Sequence, residues 1–538
     1  MGPLCILRLQ YYTSKVCTPS RASFMTGLYP QDTGAALNHA PMNEDAVTFA
    51  QELRRHSNLY TSYFGKWHLN GDAKPGFNNQ KRKFGFVETK YQYNRGHWKF
   101  FEDGKNKTAP TKAYEWSASK NKFNDEQKIK EHYATDFMFN KGISFMNRMV
   151  KKKRNFAMVL SIADPHAPNI VREPYASKFD GYHFKYPYSG KLASRGTPGT
   201  PSWNNPYTLV EKEEVEDSIT EYENSEFWQT HMKWYFGMVK LIDVKVGSLL
   251  SALERLGIDD NTIVIFTADH GDQLGLHSKL NKGTPYQSSA GIPFLIRHPS
   301  KIRRGKIIET PYSSIDFAPT ILSLMGVTNK TSEYHGIDAS DELYNDDDIS
   351  SKDDQIRFVF DTSKKDRWAA AVTNKYKLVI SAIEQPWFFD LSEDPEELHN
   401  VFDNPTYADE ISRMKTALFD ESKSFSDTFF RQKDGIILWD TPKCIDSKDS
   451  IAISFSKDLL FCKDIRKKGY FSKGRCQYDS ALKAHCPRTC GACCDDSEGS
   501  MFYSNKDSFL TCSDITSDND CVNHAVRRFC PQSCGLCD

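Results

Sequence analysis

Three stretches of the chain share one arrangement of apolar and polar positions. Residues 60–64 run into Gly65-Lys66-Trp67-His68, residues 155–162 run into Ala163-Asp164-Pro165-His166, and residues 261–266 run into Thr267-Ala268-Asp269-His270-Gly271. Each is a short run rich in β-branched, aliphatic and aromatic side chains, as a buried parallel strand requires. Each ends in ionisable residues. Between them, residues 132–149 and 232–256 carry apolar positions at helical spacing. This alternation predicts an α/β fold whose mostly parallel sheet is sandwiched by helices. In such sheets ligands bind beyond the carboxyl ends of the strands. His68, His166 and Asp269 are therefore expected to converge although they lie far apart in the chain.

Past residue 355 the texture changes. Residues 356–360, 368–373, 377–380 and 387–390 look like short strands joined by turns, followed by a helix over 407–419. A small antiparallel subdomain over 356–435 is expected beside a main domain over 1–355. The acidic stretches at 211–216 and 346–348 read as solvated loops, and the basic run at 151–154 reads as a helix end, where cations suit the dipole.

The C-terminal segment repeats itself. Cys444, Cys462, Cys476, Cys486, Cys490 and Cys493 form one six-cysteine set, and Cys494, Cys512, Cys521, Cys530, Cys534 and Cys537 form another. Both open with Cys-x17-Cys and close with Cys-Pro-x-x-Cys-Gly-x-Cys. Zinc is the rival use of such spacing, but two sets of six favour small disulfide-stapled modules over 444–493 and 494–537, and an oxidising compartment. Spacing alone leaves roughly 15 connectivities open in each set.

Composition narrows the classes. Lys plus Arg and Asp plus Glu number 70 each, so the net charge of zero argues against a nucleic-acid or polyanion-coated surface. No apolar stretch approaches the ~20 residues of a membrane span. The first residues, Met-Gly-Pro-Leu-Cys-Ile-Leu-Arg, hold too short an apolar run for a secretory signal. The cysteine-rich end nonetheless predicts an exported protein, secreted or lysosome-like, whose signal lies upstream of Met1. Asn106-Lys107-Thr108 and Asn329-Lys330-Thr331 are possible glycosylation sites.

The sharpest candidate chemistry is Cys17-Thr18-Pro19-Ser20-Arg21, followed by Ala22-Ser23-Phe24-Met25-Thr26-Gly27. Pro19 presets its φ and needs no amide donor, so these residues read as a helix start. Free N–H groups and the dipole favour an anion there, and Arg21 adds a fixed positive fork. A free buried cysteine ahead of a helix is the plain alternative.

The extended motif resembles the sulfatase signature, in which the cysteine is converted to formylglycine. Gly65-Lys66-Trp67-His68-Leu69, Asp164-Pro165-His166, Asp269-His270-Gly271 with His277 and Asn281-Lys282-Gly283, and Trp387-Phe388-Phe389-Asp390-Leu391 with Asp394-Pro395 and Glu397 resemble further landmarks of that family, in order. The resemblance covers residues 9–435 and implies hydrolysis of a carbohydrate or aryl sulfate. It implies a formylglycine hydrate from Cys17 as nucleophile, made by a formylglycine-generating enzyme, and one divalent cation, usually calcium, on Asp269, His270 and residue 17. Arg21 and Lys66 would support the hydrate, while Lys66, His166 and Lys282 would hold sulfate. His166 or Lys282 would protonate the departing oxygen, and His68 would take the proton that lets sulfate leave. His277 and His97 are further substrate-binding candidates, with Asn38 and His39 also candidates for the leaving-group pocket. The C-terminal sets resemble ShK-type modules, which implies pairing of Cys444 with Cys493, Cys462 with Cys486 and Cys476 with Cys490. The second set would pair Cys494 with Cys537, Cys512 with Cys530 and Cys521 with Cys534.

One feature departs from the family pattern. A strand ending in paired aspartates, both metal ligands, is expected well before the cysteine, yet only sixteen residues precede Cys17 and none is acidic. The expectation is a main domain that lacks its N-terminal strand, an exposed edge in the middle of the sheet, and a cation site short of two carboxylates that binds calcium poorly; were other carboxylates to complete it, Asp32 and Asp272 would be the first to consider. A phosphate or phosphonate ester hydrolase of the same superfamily and a catalytically dead binding scaffold are the competing functions.

Overall fold

The computed structural model describes residues 8–14, 16–71, 82–96, 98–103, 112–114, 125–190, 222–327, 332–345, 355–362, 367–381, 386–430, five short strands between 436 and 510, and residue 512. The chain forms two compact units. The first comprises Met1–Tyr186, Asp217–Gly271 and Gly291–Lys352; the second comprises Pro187–Glu216, Asp272–Ala290 and Asp353–Asp538.

In the first unit, strand β1 (Arg8–Tyr12) leads into helix α1 (Cys17–Thr26), and helix α2 (Phe49–His56) leads into β2 (Tyr60–Lys66). After β3 (Gln92–Tyr93) come α3 (Ala134–Lys151), β4 (Phe156–Ser161), α4 (Glu226–Arg255) and β5 (Val264–Thr267). Strands β6 (Gly291–Ile292), β7 (Phe294–Arg297) and β8 (Ile307–Ser313) and helix α5 (Phe317–Leu324) follow, with shorter elements between and after them. All three strands expected from the hydrophobic pattern are present, and so are the two long helices.

Among the described residues the pairing gives four strand groups rather than one continuous sheet, one of them the antiparallel pair of Phe100–Glu102 with Lys112–Tyr114. Strand β2 lies parallel to β3 and to β4, with Tyr60 opposite Phe156 and Gly65 opposite Ser161. Strand β1 lies parallel to β8 and antiparallel to β6, and β5 pairs antiparallel with β7. Among the described residues, β4 pairs only with β2 and β5 only with β7. The side chains of β4 and β5 are accordingly only partly buried, and Phe266 of β5 is exposed.

Adjacent residues of β2 point to opposite faces, as the period of two demands. Tyr63 joins a core with Ala22, Phe24 and Met25 of α1, Phe49 and Leu53 of α2, and Ile321 and Leu322 of α5. Phe64 joins the other core with Phe145, Met146 and Met149 of α3 and Ala252 and Leu253 of α4. Helices thus cover both faces, and the strands end in the polar loops singled out by sequence. Gly65 is required where it stands: its φ is +98°, and a Cβ would meet the Ser161 carbonyl oxygen at 1.7 Å.

The second unit contains the expected antiparallel sheet, β9 (Arg357–Phe360), β10 (Trp368–Val372), β11 (Tyr376–Ser381) and β12 (Trp387–Asp390), in that spatial order. Helix α6 (Ala408–Ser422) buries Ile411, Met414 and Leu418 at helical spacing. Lys377 and Glu397 form a buried ion pair at 2.5 Å, and Glu397 also accepts the Gln287 N–H. The carboxylate recognised in the Asp394-Pro395-x-Glu397 pattern is therefore a structural one. His277 is buried and stacks on Tyr286 with ring centroids 3.6 Å apart and planes within 5°. Tyr286 stacks in turn on Trp387.

Burial, then the charges of Lys377 and Lys279, push the His277 imidazole from its ordinary 6.5 down to about 3. The folded chain refuses a proton that the unfolded chain accepts. This contribution to stability is complete above pH 6.5 and is lost as pH falls toward about 3. In urea unfolding, His277→Phe should make the acid-side decline shallower between those pH values; an unchanged slope would refute the assignment.

Candidate functional site

The first turn of α1 is held by hydrogen bonds to two strand ends. Thr18 Oγ1 donates to the His68 carbonyl at 3.0 Å, and Ser20 Oγ donates to the Asp269 carbonyl. Val16 precedes the helix in extended backbone, and Pro19 occupies the first turn, where the missing N–H has no intrahelical partner to lose. Cys17 is thereby fixed at the helix start with a buried, free thiol.

Around that thiol Lys66, Arg21, Asp269 and His270 come together. Cys17 Sγ lies 3.1 Å from His270 Nε2 and 3.7 Å from Lys66 Nζ. Arg21 donates through Nε to Asp269 Oδ2 at 2.7 Å, and through one terminal nitrogen to the Lys66 carbonyl at 2.8 Å and Ser161 Oγ at 2.9 Å. Its planar fork matches three acceptors that a single ammonium group could not bridge in this geometry. Burial raises the Cys17 thiol and Asp269 raises it further, but Lys66 and His270 outweigh both and bring it down to about 7. Burial also opposes ionisation of Asp269; Arg21, His270 and Lys66 overcome it and hold the carboxyl well below its ordinary range.

His68 is buried in left-handed backbone, φ 62°, with Nε2 at 2.8 Å from His39 Nδ1. Burial, then Lys66, Arg21 and His39, push its pKa to about 2, so the ring is neutral. His166 follows β4 in a loop anchored by Asp164, whose buried carboxylate accepts from Lys99 Nζ at 2.6 Å, Tyr133 at 2.9 Å and Thr135 at 2.7 Å. These three anchors and the His39–His68 contact have no local sequence signal, because each partner comes from a distant segment.

Cys17, Asp269 and His270 present donor atoms all within 4.8 Å of one another. His270 Nδ1 bonds the Gly271 carbonyl at 2.8 Å, which fixes the tautomer and leaves Nε2 as a lone-pair donor. The trio suits one side of a divalent-cation site. A calcium ion takes about six to eight oxygen ligands, so the trio leaves further positions to other groups. The suggested substitutes are otherwise engaged: Asp32 pairs with His335 at 3.4 Å, and Asp272 accepts the N–H groups of Leu274 and Asn281.

Lys282 and His277 belong to the second unit, where His277 is a stacked, buried ring. His97, both glycosylation sequons and the acidic stretches at 211–216 and 346–348 lie outside the described residues. So do the C-terminal cysteines apart from Cys512, which is buried and disulfide-bonded. No helix among the described residues is long and apolar enough to cross a membrane.

Comparison with known proteins adds independent findings. The sulfatase family model matches residues 6–327. The model for the C-terminal region of N-sulphoglucosamine sulphohydrolase matches 275–424, and the ShK domain-like model matches 468–493 and 504–537, inside the two six-cysteine sets. The uncharacterized sulfatase YidJ of Escherichia coli K12 is 25% identical over 438 residues, covering 78% of this chain and 80% of that protein. The N-acetylglucosamine-6-O-sulfatase of Bacteroides thetaiotaomicron is 25% identical over 483 residues, covering 79% and 81%. A protein solved in complex with its substrate D-glucosamine-2-N,6-O-disulfate matches at a TM-score of 0.59 and 22% identity, over 79% of this chain and 92% of that one. A family match over more than half of the sequence, on a fold shared with solved proteins, establishes that this chain belongs to the sulfatase family.

Proposed function

We propose that the chain hydrolyses carbohydrate sulfate monoesters at the cluster around Cys17. The observation that carries this reading is the placement of Cys17 Sγ beside Lys66 and His270, with Arg21 and Asp269 locked together next to it. Two fixed cations face one carboxylate there, a surplus of positive charge suited to an anionic ester. The choice of sugar sulfates draws support from the relative named as an N-acetylglucosamine-6-O-sulfatase and from the disulfated glucosamine in the solved complex.

In this reading Cys17 is the site of formylglycine formation, and Asp269 and His270 hold a divalent cation beside it. Formylglycine supplies, as its hydrate, the hydroxyl that attacks sulfur, and the cation supplies positive charge at the sulfate. Lys66 holds an anionic sulfate oxygen through its ammonium group, and Arg21 keeps Asp269 and the ends of β2 and β4 in register. His68, neutral at physiological pH, takes a proton on a ring nitrogen. His166 sits on the loop that Asp164 anchors and serves as sulfate ligand or as acid for the departing oxygen. Lys282 shares that role by resemblance of its segment. A disulfide-bonded Cys512 and two ShK-type matches support export through an oxidising compartment.

Peptide mass spectrometry of the full chain from a host with the converting enzyme should find an aldehyde in place of the Cys17 thiol. An unmodified thiol throughout would sink this reading. Against sulfate and phosphate esters of one alcohol, the sulfate should be preferred, and Cys17→Ala should remove turnover while leaving unfolding unchanged. His166→Ala and Lys282→Ala should each lower sulfate-ester turnover by ~10² or more, the usual scale for losing a catalytic acid or an anion-stabilising donor. Near-normal kinetics in either variant would remove that residue from the site.

A further inference from the structure

The most tightly built feature that this chemistry has not absorbed is the contact between His39 and His68. Their rings meet nitrogen to nitrogen at 2.8 Å, with centroids 4.8 Å apart and planes tilted by 51°. Both residues adopt left-handed backbone, φ 69° for His39 and 62° for His68, a region that residues other than glycine enter rarely and that clusters at functional sites.

The surrounding bonds over-determine this arrangement. Thr18 Oγ1 accepts the His39 N–H at 3.1 Å and donates to the His68 carbonyl, so one hydroxyl ties both histidines to the first turn of α1. Asn38 Oδ1 accepts the Thr18 N–H at 3.3 Å. Farther along, the Met42 N–H donates to the Leu69 carbonyl, and Pro41 and Asn70 form an antiparallel bridge. The 38–42 segment is thus laced against 68–70, and His39 is set beside His68 by backbone geometry.

The bond also has a direction. His68 Nδ1 is buried and has no hydrogen-bond partner among the described residues. If His39 donated to His68, that Nδ1 would carry a buried N–H with no acceptor, an arrangement native proteins rarely tolerate. If His68 donates from Nε2, Nδ1 holds only a lone pair. The second arrangement leaves a base ready to take a proton.

We infer that His39 is a positioning residue: its Nδ1 accepts the Nε2 proton of His68, which fixes the ring's orientation and its tautomer with the lone pair on Nδ1. The inference rests on the sulfatase reading for the role of His68. Proton accounting is simple. His68 gains at Nδ1 the proton given up by the second hydroxyl at residue 17, carries one positive charge while it holds that proton, and later releases the same proton from Nδ1. The logic matches that of an orienting group behind a catalytic imidazole, with a neutral ring in place of a carboxylate.

Two measurements on the full chain test this. With 4-nitrophenyl sulfate as probe, His39→Leu should lower kcat about 10- to 100-fold, the scale of losing an orienting partner, with KM falling in step and kcat/KM unchanged. Nitrophenol release should then show a burst before slow turnover, because the slowed step follows departure of the alcohol. His39→Asn keeps an acceptor near the Nδ1 position and tolerates left-handed backbone, so it should restore most of kcat. A change in KM alone would return His39 to the leaving-group pocket, and kcat within twofold of the parent in His39→Leu would overturn the inference. The second measurement does not depend on turnover. In 15N-histidine-labelled protein, His68 should carry its proton on Nε2 and show coupling across the hydrogen bond to His39 Nδ1. A proton on His68 Nδ1 would overturn the inference even in an active enzyme. A parent chain that leaves the probe intact while showing the coupling would fault the substrate assignment and leave the pairing standing.

Discussion

The first unit depends on one buried guanidinium. Arg21, with a side chain only 12% exposed, reaches the carboxylate after β5, the carbonyl at the end of β2 and the hydroxyl at the end of β4. Withdrawing a guanidinium from water is unfavourable unless its donors are met, and removing one partner of such a buried pair costs about 3–5 kcal/mol. The cost favours the geometry in which the three strand ends and the start of α1 meet around Arg21, where all three acceptors are supplied. Since β4 and β5 share no ladder with each other among the described residues, this side-chain bridge does part of what a continuous sheet would do.

The electrostatics of the cluster follow from that placement. Asp269 stays ionised despite burial because Arg21 touches it, and the thiol of Cys17 is drawn down because Lys66 and His270 lie next to it. Burial, with Lys66 and Arg21 adding to it, keeps His68 neutral. One set of fixed charges therefore sets opposite protonation states on neighbouring groups, a carboxylate and an uncharged imidazole, as acid–base chemistry at a single site requires.

Local backbone strain is concentrated in the same region. His39 and His68 hold left-handed backbone, and Gly65 holds a φ that only glycine accepts without strain. Thr18, Asn38 and the 38–42 segment supply the bonds that keep these conformations occupied. A short polar residue in the first helical turn thus acts on two histidines that are 29 residues apart in sequence.

Much of this was legible in the sequence. The apolar runs before Gly65, Ala163 and Thr267 specify strands; the first two pair in parallel, as runs apolar on both faces predict, whereas β5 pairs antiparallel with β7. The turn chemistry beyond residue 355 marks the four antiparallel strands to within a few residues. Cys17 and the strand-end residues Lys66, His68, Asp269 and His270 were identifiable from motif and position, since α/β folds place ligands at the strands' carboxyl ends. Pairwise geometry was not legible. That His39 meets His68, that Asp164 is anchored by Lys99, Tyr133 and Thr135, and that His277 is a stacked ring in the second unit are all decided in three dimensions. A histidine's residue type states only that it can donate, accept or stack; which of these it does depends on groups that distant segments bring within about 3–4 Å, and only the tertiary fold determines those.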